Sequence, residues 1–298
     1  MKTLLFGCGG QVGWQLQRSL AVLGEVVALD RTSEPLCGDL LRPDELAATI
    51  RDVAPQAIVN AAAYTAVDRA ESESDQAFAI NAEACELIAR EASRLDAWLV
   101  HYSTDYVFDG SGDSPRHEDD ATGPINVYGR SKLQGERAIR AHCARHLILR
   151  TSWVYDTWGQ NFLKTILRAA AQRDSLEVVD DQWGAPTRAA LIADVTAHLL
   201  RTVQPREAGV YHLAAAGETS WHGYATFAIE VAQRAGMALK AAPQTVRRVD
   251  SSRFASAARR PHNSRLDTAR LRSTFGFTLP PWQHGVAAVV NELAAFGR

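Results

Sequence analysis

Residues 1–31, MKTLLFGCGGQVGWQLQRSLAVLGEVVALDR, decide the fold class of this chain. A short apolar run at 4–6 precedes a glycine-rich turn, and an amphipathic segment at 12–23 leads to a second apolar run at 26–29. These patterns predict a buried strand, a tight turn, a helix and a second buried strand, in that order. Such a unit opens an α/β protein with a parallel sheet.

The same alternation continues through the first 150 residues. Apolar runs at 57–59, 98–101 and 147–149 are predicted strands. Helical patterns lie around them at 44–53, 75–95 and 126–143. We therefore predict a doubly wound parallel sheet of the Rossmann type, with helices on both faces.

The second half of the chain is less regular. Segments that contain Pro and Gly join its helical patterns at 160–172, 188–203, 221–235 and 283–296. We predict a Rossmann-like domain at 1–152, to which about 176–216 returns. Residues 153–298 then form mainly a smaller, discontinuous substrate lobe.

Composition narrows the function classes. The chain has 298 residues and a formal net charge of −2, whereas nucleic-acid-binding domains are usually strongly basic. Its four cysteines, at positions 8, 37, 85 and 143, form no C-x-x-C pair, so free thiols are predicted rather than disulfides or a zinc site. No apolar run is long enough for a signal peptide or a membrane span. We expect a cytoplasmic protein that binds neither nucleic acid nor a membrane.

The glycine-rich turn has the spacing of a dinucleotide site. Gly7, Gly10 and Gly13 form G-x-x-G-x-x-G, and Val12 stands where the strict fingerprint has its third glycine. Glycines allow the backbone to approach a pyrophosphate, which then sits at a helix N-terminus. Asp30, 20 positions after Gly10, ends the second strand, where an acid binds ribose hydroxyls. A plain turn between strand and helix is the alternative.

Arg31 bears on which coenzyme such a site prefers. A carboxylate at position 30 repels a 2′-phosphate, whereas the adjacent guanidinium binds one. We therefore predict mixed use of NADH and NADPH.

Tyr128 and Lys132 form the pattern Tyr-x-x-x-Lys on the predicted helix at 126–143. Residues four apart share a helix face. A free tyrosine has a pKa of about 10, and a nearby ammonium lowers it toward a value useful for proton transfer. The pair predicts a reductase site, with Lys132 also placed to hold a nicotinamide ribose; a solvated helix face is the alternative.

The end of the fourth strand supplies a hydroxyl. Ser103 and Thr104 lie at its carboxyl end, where ligands collect in open α/β sheets. Either hydroxyl can bond a substrate oxygen, and either can instead cap a turn. The sequence alone does not choose between them.

Six segments resemble the dTDP-4-dehydrorhamnose reductases, a family of extended short-chain dehydrogenases. The resemblance covers residues 1–297, in matching order and spacing. The segments are 60–71 (NAAAYTAVDRAE), 103–110 (STDYVFDG), 128–132 (YGRSK), 150–155 (RTSWVY), 181–187 (DQWGAPT) and 260–267 (RPHNSRLD).

The resemblance implies an activity and a set of site residues. Members of the family reduce the 4-keto group of dTDP-4-dehydrorhamnose with NADPH or NADH, the last step of dTDP-rhamnose biosynthesis. Tyr128 would be the proton donor, Lys132 its pKa partner and Thr104 the hydroxyl that tunes the substrate contact. Coenzyme contacts would also come from Gly7, Gly10, Gln11, Val12, Gly13, Asp30, Arg31, Asp39, Leu40, Ala62, Ala63, Tyr64, Thr65 and Tyr102. Substrate contacts would come from Thr104, Asp105, Tyr106, Trp153 and Arg260.

The second half of the chain is rich in arginine, which suits a diphosphate. Most of these arginines are expected on a solvated surface, and Arg260 or Arg265 is the candidate binder.

Some relatives are dimers that bind magnesium through glutamates, so a homodimer is an expectation here too. Glu292 is a candidate ligand, but Gln15 and Ala190 offer no carboxylate.

Two other functions stay open. An epimerase or dehydratase on the same fold would act on a nucleotide sugar but return the hydride, without net coenzyme consumption. A regulatory subunit would bind coenzyme and a protein partner without catalysis. The presence of Thr104, Tyr128 and Lys132 argues against a regulatory subunit without catalysis.

Overall fold

The computed structural model describes residues 1–296. Its strands are β1 (Thr3–Phe6), β2 (Val26–Leu29), β3 (Ala57–Asn60), β4 (Trp98–Thr104), β5 (His146–Thr151), β6 (Val154–Tyr155), β7 (Leu176–Val179), β8 (Trp183–Gly184), β9 (Thr187–Arg188), β10 (Gly209–His212), β11 (Thr219–Ser220) and β12 (Val246–Val249). Its α-helices are α1 (Gln11–Ala21), α2 (Pro43–Val53), α3 (Val67–Ala70), α4 (Ser74–Phe78), α5 (Ala84–Arg94), α6 (Val127–His142), α7 (Phe162–Gln172), α8 (Ala189–Thr202), α9 (Trp221–Arg234), α10 (Ala269–Phe275) and α11 (Trp282–Ala295).

Six strands form one parallel sheet in the order β10-β5-β4-β3-β1-β2. The predicted doubly wound, Rossmann-like fold is confirmed. The direction of winding reverses between β1 and β3, and such a reversal opens a crevice at the carboxyl ends of the strands. Phe6 and Asn60, which end β1 and β3, are register neighbours at this edge, so the loops that follow them line the crevice.

Both faces of the sheet are buried. Leu4 and Leu5 are adjacent in β1, so their side chains point to opposite faces of the sheet. Both are fully buried, so both faces are covered. Leu5 packs with Leu16 of α1 and Ile192 of α8, whereas Leu4 packs with Ile50 of α2. Burial of each leucine contributes roughly 1.5–3 kcal/mol. This is why the strands are continuous apolar runs in the sequence.

The second half of the chain adds three short strand pairs outside the main sheet, β7 with β12, β8 with β11 and β6 with β9. Helices α7, α9 and α11 enclose a separate apolar core that includes Tyr155, Tyr224 and Val289. Within 176–216, β10 joins the main sheet and α8 packs on it, whereas β7 pairs elsewhere. The division at residue 152 stays a prediction.

The predicted helix at 75–95 is interrupted. A π-helical turn, Ala79–Glu83, separates α4 from α5 and turns Asn81 inward. The buried Asn81 side chain bonds the backbone nitrogen and oxygen of Tyr64 and the hydroxyl of Ser131. The turn thus joins the loop after β3 to α6, as π-turns at functional sites often do.

Among residues 1–296, we find no helix that combines the length and the apolar character required to cross a membrane.

Candidate active site

The glycines of the first loop stand where a side chain would collide with the backbone. Gly7 has φ +80°, and a Cβ there would lie 2.6 Å from the Ala62 nitrogen. At Gly13 a Cβ would lie 2.0 Å from the Gly7 oxygen. Helix α1 begins at Gln11 after Gly10, so the free amides of its first turn face the crevice mouth. This cradle fits a pyrophosphate.

Asp30 directly follows the last residue of β2 and is an ionised carboxylate. Its Oδ1 accepts hydrogen bonds from the backbone nitrogen and the hydroxyl of Thr32, each at 2.8 Å. The bonds from Thr32 lower the pKa of Asp30, an effect that burial opposes. Arg31 beside it is exposed. A carboxylate and an exposed guanidinium are thus adjacent at the end of β2.

The other predicted coenzyme residues differ in what they expose. Asp39 is partly buried and binds the Leu41 nitrogen at 3.0 Å, whereas the Leu40 side chain is buried in the core. Ala62 and Ala63 are partly exposed after β3, followed by the exposed Thr65.

The hydroxyls of Tyr64 and Tyr102 are hydrogen-bonded to other side chains of the protein. Tyr64 donates to Glu73, and Tyr102 bonds Thr196 of α8 at 2.7 Å. What Tyr102 presents on the α6 side of the sheet is therefore its backbone carbonyl.

Tyr128 lies in the first turn of α6. Asn126 caps this helix, because its Oδ1 accepts from the Gly129 nitrogen at 2.7 Å, and its Nδ2 donates to the Arg259 carbonyl at 2.8 Å. The cap therefore ties the start of α6 to the segment that contains Arg259. The Tyr128 ring meets the Tyr106 ring edge to face, with centroids 5.6 Å apart.

The expected lowering of the Tyr128 pKa by Lys132 is wrong in this structure. Burial raises the pKa of Tyr128 to about 12, against the opposing effect of a hydrogen bond with Thr104. The negative charge of Asp105 raises it further. Tyr128 is therefore a protonated hydroxyl at neutral pH, which suits a proton donor.

Lys132 is held by two partners that sequence reasoning missed. Its Nζ donates to the Tyr102 carbonyl at 2.6 Å and lies 3.0 Å from Nε2 of His101. Both Lys132 and His101 are buried, and burial lowers the pKa of the lysine. Burial and the lysine charge hold the pKa of His101 well below its usual range. His101 is thus a neutral ring, free to accept from the lysine.

The two hydroxyls that end β4 have different roles. The Ser103 hydroxyl donates to Glu136 of α6. The Thr104 hydroxyl accepts from the Tyr106 nitrogen at 3.2 Å and donates to Asp105 at 3.1 Å. Thr104 is therefore both the cap of the following turn and the hydroxyl beside Tyr128.

Asp105 makes stability depend on pH. Burial raises the pKa of Asp105 to about 7, although hydrogen bonds from Ser264 and Thr104 oppose the rise. A raised folded pKa means that its contribution is fully present below the unfolded pKa near 4 and is lost as pH rises through 7.

We therefore expect Asp105→Asn to gain more stability relative to the native chain at pH 8.5 than at pH 5. The gain should be on the order of 1.4 kcal/mol per pKa unit of displacement. Urea unfolding of both proteins at the two pH values measures it. An equal stability difference at both would contradict a titration in this window.

A cavity of about 940 Å³ adjoins this end of β4. Tyr106, Arg260 and Asp68 line one part of it, and Phe162 and Trp221 line an apolar part. Arg260 faces Asp68 through two contacts, at 2.6 and 3.2 Å. The cavity thus combines the Arg260–Asp68 ion pair with aromatic faces that can pack on a ring.

Arg265, the other candidate anion binder, is engaged elsewhere. It pairs with Glu218 at 2.8 Å, and its guanidinium lies over the Trp183 ring. Of the two arginines, Arg260 is the one that lines the cavity.

Trp153 has φ +48°, a conformation that bulky residues rarely adopt. Its ring stacks on Trp221, with centroids 3.6 Å apart, and Gly184 leaves room at its edge. Trp221 was not singled out in the sequence. Strain of this kind concentrates at functional sites.

Glu292 does not fit a magnesium site. Both of its carboxylate oxygens lie 2.8 Å from the guanidinium of Arg188. Among residues 1–296, no group of three or more His, Cys, Asp or Glu side chains is placed to hold a metal ion.

Comparisons with known proteins cover almost the whole chain. The family model of the RmlD substrate binding domain matches residues 1–295. The dTDP-4-dehydrorhamnose reductase of Shigella flexneri is 52% identical over 98% of each chain.

Two solved structures agree in fold. The dTDP-4-dehydrorhamnose reductase of Clostridium acetobutylicum has a TM-score of 0.89 and 31% identity, over 98% of this chain and 99% of that one. The Bacillus anthracis dTDP-4-dehydrorhamnose reductase, solved in complex with NADP, has a TM-score of 0.88 and 32% identity over the same shares.

Proposed function

We infer the function from one premise: the chain belongs to the dTDP-4-dehydrorhamnose reductase family. It reduces the 4-keto group of dTDP-4-dehydrorhamnose to give dTDP-L-rhamnose, with a nicotinamide coenzyme as reductant. The observation that carries this is the protonated Tyr128, which packs edge to face on the cavity-lining Tyr106 and lies one helical turn before the buried Lys132.

The residues divide the work of adding a hydride and a proton across a carbonyl. When bound, the reduced coenzyme supplies the hydride. Tyr128 donates its proton to the carbonyl oxygen as charge develops there, and the resulting tyrosinate regains a proton from solvent. Thr104 orients this oxygen, and Lys132 is fixed by His101 and the Tyr102 carbonyl beneath the same site. Arg260 faces the substrate diphosphate in the cavity.

Net consumption of coenzyme tests the reaction class. A reductase oxidises one NADPH or NADH per sugar converted, whereas an epimerase or dehydratase returns the hydride. We expect absorbance at 340 nm to fall in proportion to the keto sugar added. Conversion of the sugar without this fall would assign an epimerase or dehydratase, and tight coenzyme binding without any conversion would favour a regulatory subunit.

Arg31 is expected to govern the use of NADPH. Because the 2′-phosphate belongs to NADPH alone, Arg31→Ala should raise the KM for NADPH roughly ten-fold, the effect of losing one charge-assisted contact. The KM for NADH should change much less, since Asp30 is intact.

Steady-state kinetics with each coenzyme measures both values. Equal changes for the two coenzymes would contradict the role of Arg31. A native preference above about a thousand-fold in kcat/KM would contradict mixed use.

A further inference from the structure

We propose that the segment at 156–161 is a clasp that fixes the pyrophosphate-binding loop, and that Trp158 is a positioning residue for the coenzyme. The proposal rests on the proposed function only in assigning the glycine loop to a coenzyme. Residues 153–298 were expected to serve the sugar nucleotide, so a coenzyme role for this segment is new.

Trp158 contacts the glycine loop directly. Its indole nitrogen donates to the Gly9 carbonyl at 2.9 Å. Its ring stacks on Trp14 of α1, with centroids 4.2 Å apart and planes 9° from parallel. Trp14 and Trp158 are 46% and 42% exposed, so two large apolar rings stand at the surface beside this loop. Each covers part of the other.

Gln11, the first residue of α1, is bound by Asn161 of this segment and by Val154 just before it. Its Oε1 accepts from Asn161 at 2.8 Å, and its Nε2 donates to the Val154 carbonyl at 3.4 Å. Gly159 has φ +75° and packs so closely that a Cβ would lie 2.9 Å from the Gln11 side chain. The clasp therefore holds both sides of the loop that starts α1.

The clasp is itself braced. Lys164 donates to the carbonyls of Thr157 and Gly159, at 3.0 and 2.9 Å. Asn161 caps α7 and also donates to the Asp156 carbonyl at 2.7 Å. The segment is thus built as a rigid support.

The glycine loop benefits from external support because glycine is conformationally flexible. Gly9 and Gly10 are adjacent, and glycine loses more conformational freedom on ordering than any other residue. A loop that must order when a ligand binds loses affinity by that cost, whereas one already ordered does not. By holding the Gly9 carbonyl and Gln11, the clasp keeps the loop in one conformation before the coenzyme arrives. Its loss should weaken coenzyme binding and leave the chemical step alone.

The test is the Kd of NADPH, measured by titration calorimetry without any sugar, for three variants of the full chain. Trp158→Ala removes the hydrogen bond and the stack and should raise Kd about ten-fold. Trp158→Phe keeps an aromatic ring without the donor and should raise it about three-fold. Trp98→Phe, at the opposite end of β4, is the matched control and should leave Kd unchanged.

A steady-state split completes the test. For Trp158→Ala we expect a raised KM for NADPH, with kcat and the KM for the keto sugar near native values. A Kd for NADPH within two-fold of the native value in Trp158→Ala would overturn the clasp, as would a loss confined to kcat. If the native chain binds NADPH but reduces no keto sugar, the proposed function fails while the calorimetric test still decides the clasp.

Discussion

Tyr128→Phe is expected to lower kcat by about 100-fold to 10,000-fold, the usual effect of removing a positioned acid. The hydroxyl lost is the one whose pKa burial raises to about 12, so at neutral pH it carries the proton that the reduced oxygen needs. The Kd of NADPH should stay within about two-fold of the native value, because the glycine cradle and Asp30 are untouched. Single-turnover kinetics and calorimetry measure the two quantities.

A second tyrosine supplies the control. Tyr211 on β10 is also buried, and its hydroxyl donates to the Glu207 carbonyl away from the cavity. Tyr211→Phe should retain kcat. Full activity in Tyr128→Phe would remove the proton donor from the account, and an equal loss in both variants would point to general damage.

Glu136→Ala is expected to destabilise the fold by about 3–5 kcal/mol. Glu136 and Arg150 are almost fully buried and form a two-contact ion pair, at 2.7 and 2.9 Å. Removing the carboxylate leaves the guanidinium without its charged partner and the Ser103 hydroxyl without its acceptor. Because domains are stable by only about 5–15 kcal/mol, the variant should unfold at a much lower denaturant concentration.

The double variant Glu136→Leu with Arg150→Met separates charge from packing. It removes both ions, so it should recover a large part of the loss, as apolar replacements of buried pairs often do. Urea unfolding of the native, single and double forms gives the comparison. A loss below about 1 kcal/mol in Glu136→Ala would show that the pair does not hold α6 to β5.

The parts of this molecule that sequence reasoning anticipated are those governed by local periodicity. The buried strands appear as apolar runs because helices cover both faces of the sheet. The tight turn at Gly7 and Gly13 could be predicted because only glycine fits where backbone atoms occupy the place of a Cβ. Helical spacing placed Tyr128 and Lys132 on one face.

What the sequence did not reveal depends on contacts between distant segments. The π-turn at Ala79–Glu83 is opposite Gly135 of α6, where a Cβ would lie 2.1 Å from the Asn81 oxygen. Lys132 was expected to act on Tyr128, but it turns instead to His101, 31 positions away. The Trp153 stack requires Trp221 from another helix. Periodicity within a segment contains no signal for such pairings.

The central claim is best tested by the fate of a labelled hydride. The chain is incubated with dTDP-4-dehydrorhamnose and NADPH in which deuterium replaces both hydrogens at the nicotinamide C4, and the products are analysed by mass spectrometry and NMR. We expect one oxidised coenzyme per sugar and dTDP-L-rhamnose with deuterium at sugar C4. A converted sugar without deuterium at C4, or no net oxidation of coenzyme, would contradict it.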